Sequence, residues 1–233
     1  MNLDTLPGAF RLDRARSATV QVYEQLREMI VTLALKPGTV LARAQLIEYF
    51  GLSNTPIRDA LTRLNDERLV EVFPQHLTRV RAIDLDAARQ AHFLRVSIEL
   101  ELVHVLAQAP NPVLEKSLQG LIAQQRASLE AGDLESFTAL DQGFHKKMYA
   151  MADMGDLWQV VRNLSGNLDR LRRLHLPLNN KAQSILDQHA EIALAIGRGD
   201  AGAAQAAVRA HLSGTLSQLN ALRDNYPEYV SPS

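Results

Sequence analysis

Apolar residues recur every third or fourth position through TVQVYEQLREMIVTLAL (19–35). Val22, Leu26, Met29, Ile30 and Leu33 share one face while Glu24, Arg27 and Glu28 lie on others, the periodicity of an amphipathic helix. Lys36-Pro37-Gly38 is expected to stop it. ARAQLIEYF (42–50) reads as a short second helix with Leu46, Ile47 and Phe50 inward. After a tight turn at Gly51, Ser53 or Thr55 caps a third helix whose buried side is Ile57, Leu61, Leu64 and Leu69. Pro56 is tolerated in its first turn, where the missing amide has no intrahelical partner. The period then changes. VEVF (70–73) and TRVRAI (78–83) read as two short strands around PQHL, a hairpin packed beside the helices. Three helices closed by a hairpin make a winged helix-turn-helix, with Gly51-Leu52-Ser53 as its turn.

Beyond Asp84 the pattern is helical almost throughout. Helices are expected near 84–108, 112–131, 133–152, 156–174, 181–198 and 200–225, separated by APNP, AGD, MGD, LPLNN and RGD, each rich in helix stops or fresh N-caps. Neither a sustained heptad nor an internal repeat is present. Six such helices predict an antiparallel bundle. The fold class is therefore mainly α, an N-terminal winged helix-turn-helix followed by an all-helical bundle. The expected division is a flexible segment 1–17, a winged helix-turn-helix domain 18–82, a helical domain 83–226 and a tail 227–233.

Composition narrows the class. The longest charge-free runs have thirteen residues, at 102–114 and 210–222, short of the roughly 18 apolar residues a spanning helix needs, so no membrane partner is expected. The N-terminus has no apolar signal-peptide core. With no cysteine there is no disulfide framework and no thiolate metal site, and a cytoplasmic location is expected. Charge is placed unevenly: residues 1–82 carry 11 Lys+Arg against 9 Asp+Glu, and the remainder 14 against 17.

The third helix begins with an unusual crowding of Ser53, Asn54, Thr55 and Arg58. A helix N-terminus offers unpaired amides and partial positive charge, which suit a phosphate. In a helix-turn-helix the same turn reaches base edges in the major groove. Ser53 and Thr55 can donate to phosphates, Asn54 can pair bidentately with adenine, and Arg58 can reach guanine or phosphate. Arg43 starts the supporting helix, His76 stands at the wing tip, and Arg79 and Arg81 follow on the second strand. The bland alternative is that Ser53 and Thr55 only cap the helix and that Arg58 pairs with Glu48 or Asp59. The ensemble points to double-stranded operator DNA.

VYEQLREMIVTLALKPGTVL…LIEYFGLSNTPIRDALTRLNDERLVEVFP resembles the N-terminal domain of the GntR family of bacterial transcription regulators, over about residues 18–82. The PG, the GLS turn, TPIRDAL and LV carry the likeness. Three places depart from the family pattern, one a short stretch and two single residues. Ala42, Arg43, Ala44, Gln45 and Leu46 stand where Ser-Glu-Arg-Glu-Leu is usual, Asn54 replaces an arginine, and Leu77 replaces the wing glycine. The resemblance implies the fold and DNA binding, with a different operator.

A second constellation lies in the helical part. Asp141 and His145 sit at i and i+4 in TALDQGFHKKMY and project from one helix face. His189 lies mid-helix in ILDQHAEIALAI, and His211 on the last helix. One carboxylate and three imidazoles would suit a divalent transition metal such as Zn, Ni, Mn or Fe. An isolated Asp/His pair is more often a surface or capping feature, and His76, His92, His104 and His175 belong to no such set. Residues 86–225, however, resemble the FCD domain of the FadR subfamily of these regulators. FLRVSIELELV, the D-x-x-x-H of 141–145, DQHAEIALAIGRGDAGAA and His211 carry that likeness. It implies a divalent metal on Asp141, His145, His189 and His211, with a small organic-acid effector against it. It also places Arg95, and Asn167 in a similar role, as receivers of the effector's carboxylate. From sequence alone Arg95 can equally pair with Glu99, four residues on.

The expected function is a ligand-responsive regulator, by default a repressor, not an enzyme, acting as a homodimer on two half-sites. The linker near 81–86 would relay effector binding, and the first bundle helix and the apolar surface around Val103 and Leu106 are the candidate dimer interface. Two alternatives are a regulator whose effector is the metal itself and a metal-dependent helical enzyme fused to a DNA-binding domain.

Overall fold

A computed structural model describes residues 10–73, 77–178 and 180–231 of the chain. In order, the elements are α1 (Ala18–Val31), α2 (Arg43–Phe50), α3 (Asn54–Asp66), β1 (Val70–Val72), β2 (Thr78–Val80), α4 (Leu85–Gln108), α5 (Pro112–Glu130), α6 (Leu134–Met151), α7 (Gly155–Leu164), α8 (Gly166–His175), α9 (Lys181–Gly197), α10 (Ala201–Leu216) and α11 (Leu219–Asn225). They form two compact units. One runs to Arg89 and takes up again Leu164–Arg173 and the stretch from Asn220; the other is Gln90–Asn163 with Leu174–Leu219.

The first unit is the winged helix-turn-helix. Val22, Leu26, Met29 and Ile30 of α1 bury against Leu46 and Phe50 of α2 and Ile57, Leu61 and Leu64 of α3. Gly51 ends α2 in the left-handed conformation, φ 61°, which glycine adopts without a Cβ penalty, so α3 can start three residues later, at Asn54. β1 and β2 pair antiparallel, Val70 opposite Val80 and Val72 opposite Thr78. Leu41 donates its amide to the Thr78 carbonyl and Gly38 to that of Val80, so the segment after α1 extends the hairpin's edge. α1 ends earlier than the sequence pattern predicts. Leu33 turns into the left-handed region at φ 65°, and the Thr32 hydroxyl bonds back to the Glu28 carbonyl. The chain therefore leaves the helix before Pro37.

Two later segments complete this unit. The Arg170 guanidinium of α8 is fully buried and donates to the Arg81 carbonyl (2.7 Å) and to the Asn167 side-chain oxygen (2.6 Å). That oxygen also accepts the Asp84 amide at 2.9 Å. Near the C-terminus, Val230 lies parallel to Ile83. Ile83 donates to the Tyr229 carbonyl, Ser231 donates to that of Ile83, and both Ile83 and Val230 are buried.

The second unit is the helical bundle. α5 packs on α6 and α9, and α9 on α10, around Leu114, Leu118, Phe137, Phe144, Met148, Leu186, Ile192, Ile196 and Val208. Asn111, Asp133 and Asp200 each accept a backbone amide in the first turn of the helix they cap. The AGD and RGD breaks are left-handed turns at Gly132 and Gly199. Val103 and Leu106 correct one expectation. Both lie in the bundle core, 0 % and 7 % exposed within a single chain, because they face inward one turn apart on α4. The exposed apolar residues of that helix are Phe93 and Val105.

Two expected long helices are divided. The 156–174 pattern breaks at Ser165, whose hydroxyl donates to Asp169 and starts α8 afresh. The 200–225 pattern breaks at Ser217, where the Ser213 and Ser217 hydroxyls bond back to the Ala210 and Gly214 carbonyls. Such bonds compete with the helical ladder.

Candidate functional site

α6, α9 and α10 bring four ligand-type side chains to one point. Asp141, His145, His189 and His211 are all buried, and one ligand atom from each lies within 4.8 Å of the others. Asp141 and His145 stack one turn apart because α6 gives i and i+4 a common face. His189 Nε2 lies 3.5 Å from Asp141 Oδ1, and the Nε2 atoms of His145 and His211 lie 3.2 Å apart. Two donors each about 2.1 Å from a common metal lie about 3.0–4.2 Å apart; the 3.5 and 3.2 Å pairs fall in that range, and any pair near the 4.8 Å limit of the set would draw in by about half an ångström on binding.

The outer nitrogens decide what the inner ones can do. His189 Nδ1 lies 2.8 Å from the Gln125 side-chain oxygen, and the Gln125 amide nitrogen reaches the Phe137 carbonyl. His211 Nδ1 lies 3.2 Å from the Gln188 side-chain oxygen. His145 Nδ1 lies 2.8 Å from a Glu99 carboxylate oxygen. Carboxamide and carboxylate oxygens only accept, so each Nδ1 carries the proton and each Nε2 turns a lone pair inward. The two lone pairs of His145 and His211, 3.2 Å apart, then repel unless a cation lies between them. This outer ring also orients the imidazoles, as partners of metal-bound histidines do.

Burial lowers the His145 pKa, opposed by Glu99, and lowers that of His211 well below the ordinary value, reinforced by His189 and His145. Both rings therefore stay neutral at physiological pH, the ligating form. Burial alone would raise the Glu99 carboxyl, but Arg95 and His145 overcome it and hold the group at about 2. Glu99 stays charged, with Arg95 Nε donating to its other oxygen at 2.7 Å. The four expected ligands thus meet, and Arg95 joins them through Glu99. Asn167 is instead placed in the first unit with Asp84 and Arg170.

Glu99 was legible only as a partner of Arg95, and Gln125 and Gln188 were not legible at all. Glutamines on amphipathic helices are ordinary surface residues until the packing shows them buried or facing a ring nitrogen.

The recognition turn is exposed. Ser53, Asn54, Thr55, Arg58 and Arg43 all face solvent. Ser53 is at the N-cap of α3 but makes no side-chain capping bond. Arg58 pairs with Asp59 at 3.1 Å, both side chains about half exposed. Arg79 and Arg81 approach Glu71 at 3.3 and 4.0 Å. His76 lies outside the described residues.

Residues 18–80 match the gntR family of bacterial regulatory proteins and residues 90–214 match the FCD domain. A Streptomyces ambofaciens protein described as an uncharacterized HTH-type transcriptional regulator in an unstable DNA locus is 36 % identical over 208 residues, covering 89 % of this chain and 87 % of that protein. The Escherichia coli HTH-type transcriptional repressor RspR is 27 % identical over 95 % of this chain and 97 % of its own. Among solved structures, E. coli McbR/YncC superposes with a TM-score of 0.74 at 22 % identity, covering 91 % and 99 % of the two chains. That last likeness establishes the fold alone. Among the described residues no helix is long and apolar enough to cross a membrane.

Proposed function

The chain belongs to the gntR family of bacterial transcription regulators with a C-terminal FCD domain, and from that premise we propose that it is a repressor binding operator DNA as a homodimer. In this reading a small carboxylate metabolite controls it, bound to a divalent metal on Asp141, His145, His189 and His211. The observation that carries the metal is the pair of Nε2 atoms of His145 and His211 3.2 Å apart, with the Nδ1 of each of the three rings facing an acceptor oxygen. A bound metal supplies an electrophile for an anionic oxygen. Arg95 is the guanidinium held beside the cluster by Glu99. A guanidinium carries five N–H donors, so holding Glu99 through Nε is compatible with receiving a carboxylate as well.

On the DNA side, exposed Ser53 and Thr55 would take phosphates, Asn54 an adenine edge and Arg58 a guanine or phosphate. Arg43 and the wing, including His76, would track the backbone. An acid in the bundle changes operator affinity only by binding the DNA-competent and incompetent arrangements unequally. The chain passes between its two compact units at 89/90, 163/164, 173/174 and 219/220. Linkage therefore has three covalent routes beyond the one that follows the wing.

Elemental analysis of untagged protein purified without chelator should find about one metal per chain, and His189→Ala should lose it. Operator binding by the metal-loaded protein should then weaken with a short carboxylate. Release by metal alone would make the metal the effector. An absence of metal even after incubation with Zn, Ni or Mn would sink the centre.

A further inference from the structure

α6 carries a third polar residue on the face of Asp141 and His145: Tyr149, one turn beyond the histidine. Its side chain is fully buried, with its ring against Trp158 at a centroid distance of 5.4 Å. Its hydroxyl finds no hydrogen-bond partner among the described residues. Buried hydroxyls are almost always partnered, and an orphan is costly. Phenylalanine would fill the same space without that cost, so packing does not account for the oxygen. Two charged groups of the site act on it. Burial raises the phenol's pKa, the Glu99 carboxylate raises it further and Arg95 opposes. The group is thus a neutral donor within the field of the ion pair that orients His145.

We propose that Tyr149 is an effector-contacting residue, its hydroxyl donating a hydrogen bond to an oxygen of a short acid bound at the Asp141–His145–His189–His211 centre. Through that bond it selects acids with a second oxygen function, a dicarboxylate or a hydroxy acid, over plain monocarboxylates. The inference rests on the reading of the cluster as a metal site that receives an acid. It adds the chemical class of the acid and the residue that reads it. A site built to hydrogen-bond a ligand oxygen rejects an analogue lacking it more strongly than an apolar wall rejects a missing methylene.

The test is calorimetric titration of the metal-loaded full-length protein with malonate, glycerate and propionate, in wild type and Tyr149→Phe. Wild type should bind malonate or glycerate at least about tenfold more tightly than propionate. Tyr149→Phe should erase that preference while metal content and propionate affinity stay at wild-type levels. Without acid, the same variant should keep or raise its melting temperature by about 2–4 °C, since it removes an unpartnered polar group. Equal discrimination in both proteins, or a lower melting temperature for the acid-free variant, overturns the role of Tyr149 and leaves the metal centre standing. A wild type that takes up metal but binds none of the three acids overturns the acid reading and this inference together.

Discussion

Gln125 shows how one side chain sets the chemistry of another. It is fully buried, its amide nitrogen reaches Phe137 and its oxygen faces His189 Nδ1, leaving Nε2 as the inward base. Gln125→Leu should therefore lower metal affinity by about 10–100-fold, read by competition with a chromophoric chelator, with all four ligands still present. Glu99 does the same for His145 and also neutralises Arg95 in a dry environment. Glu99→Ala breaks the buried contacts that the carboxylate makes with Arg95 and His145 and should cost about 3–5 kcal/mol, measured by urea unfolding of metal-free protein. At the opposite end of the chain the residues that matter are exposed. Arg58→Ala should weaken operator binding broadly, whereas Asn54→Arg should change base preference. Gel-shift titrations on a randomised operator library separate the two, and unchanged binding in both would remove α3 from the recognition role.

Among the elements, the turn between α2 and α3 is fixed by one backbone angle. A Cβ on Gly51 would meet no atom within 4 Å, so any cost of Gly51→Ala comes from its φ of 61° alone. That cost should be about 1–2 kcal/mol, visible as a lower thermal midpoint. Gly166, at the start of α8, is the opposite case. Its backbone angle is ordinary, but a Cβ there would stand 2.8 Å from Leu69 Cδ2, and Leu69 is fully buried. Gly166→Ala should cost about 1–3 kcal/mol by overpacking. α8 thus sits close on the end of the winged domain's core, which its position in the chain does not reveal.

Across the whole molecule, the winged unit is finished by chain ends that come late. Ile83, just past the wing, pairs with Val230, and both bury their side chains. Truncation after Asn225 removes those main-chain bonds and exposes Ile83. Its full exposure is worth about 1.5–3 kcal/mol, so the thermal midpoint should drop by several degrees. An unchanged midpoint would mean that the C-terminal residues contribute nothing to the unit.

The sequence by itself determined the two-part division into winged and helical segments, the wing, most of the helix breaks and the four ligand types, because helical and strand periods, caps and i,i+4 spacing are local properties. It also determined the family likeness that the matches to the gntR and FCD families bear out. Tertiary structure alone decided which polar groups became buried partners. Glu99, Gln125, Gln188 and Tyr149 lie on periodic helices, and only packing against other helices turns their side chains toward a ring nitrogen or away from water. It decided too that Val103 and Leu106 are core, because a helix with apolar residues on more than one side is oriented by its neighbours. The breaks at Ser165 and Ser217 likewise rest on hydroxyl bonds that compete with helix geometry, and composition does not say which of the two prevails.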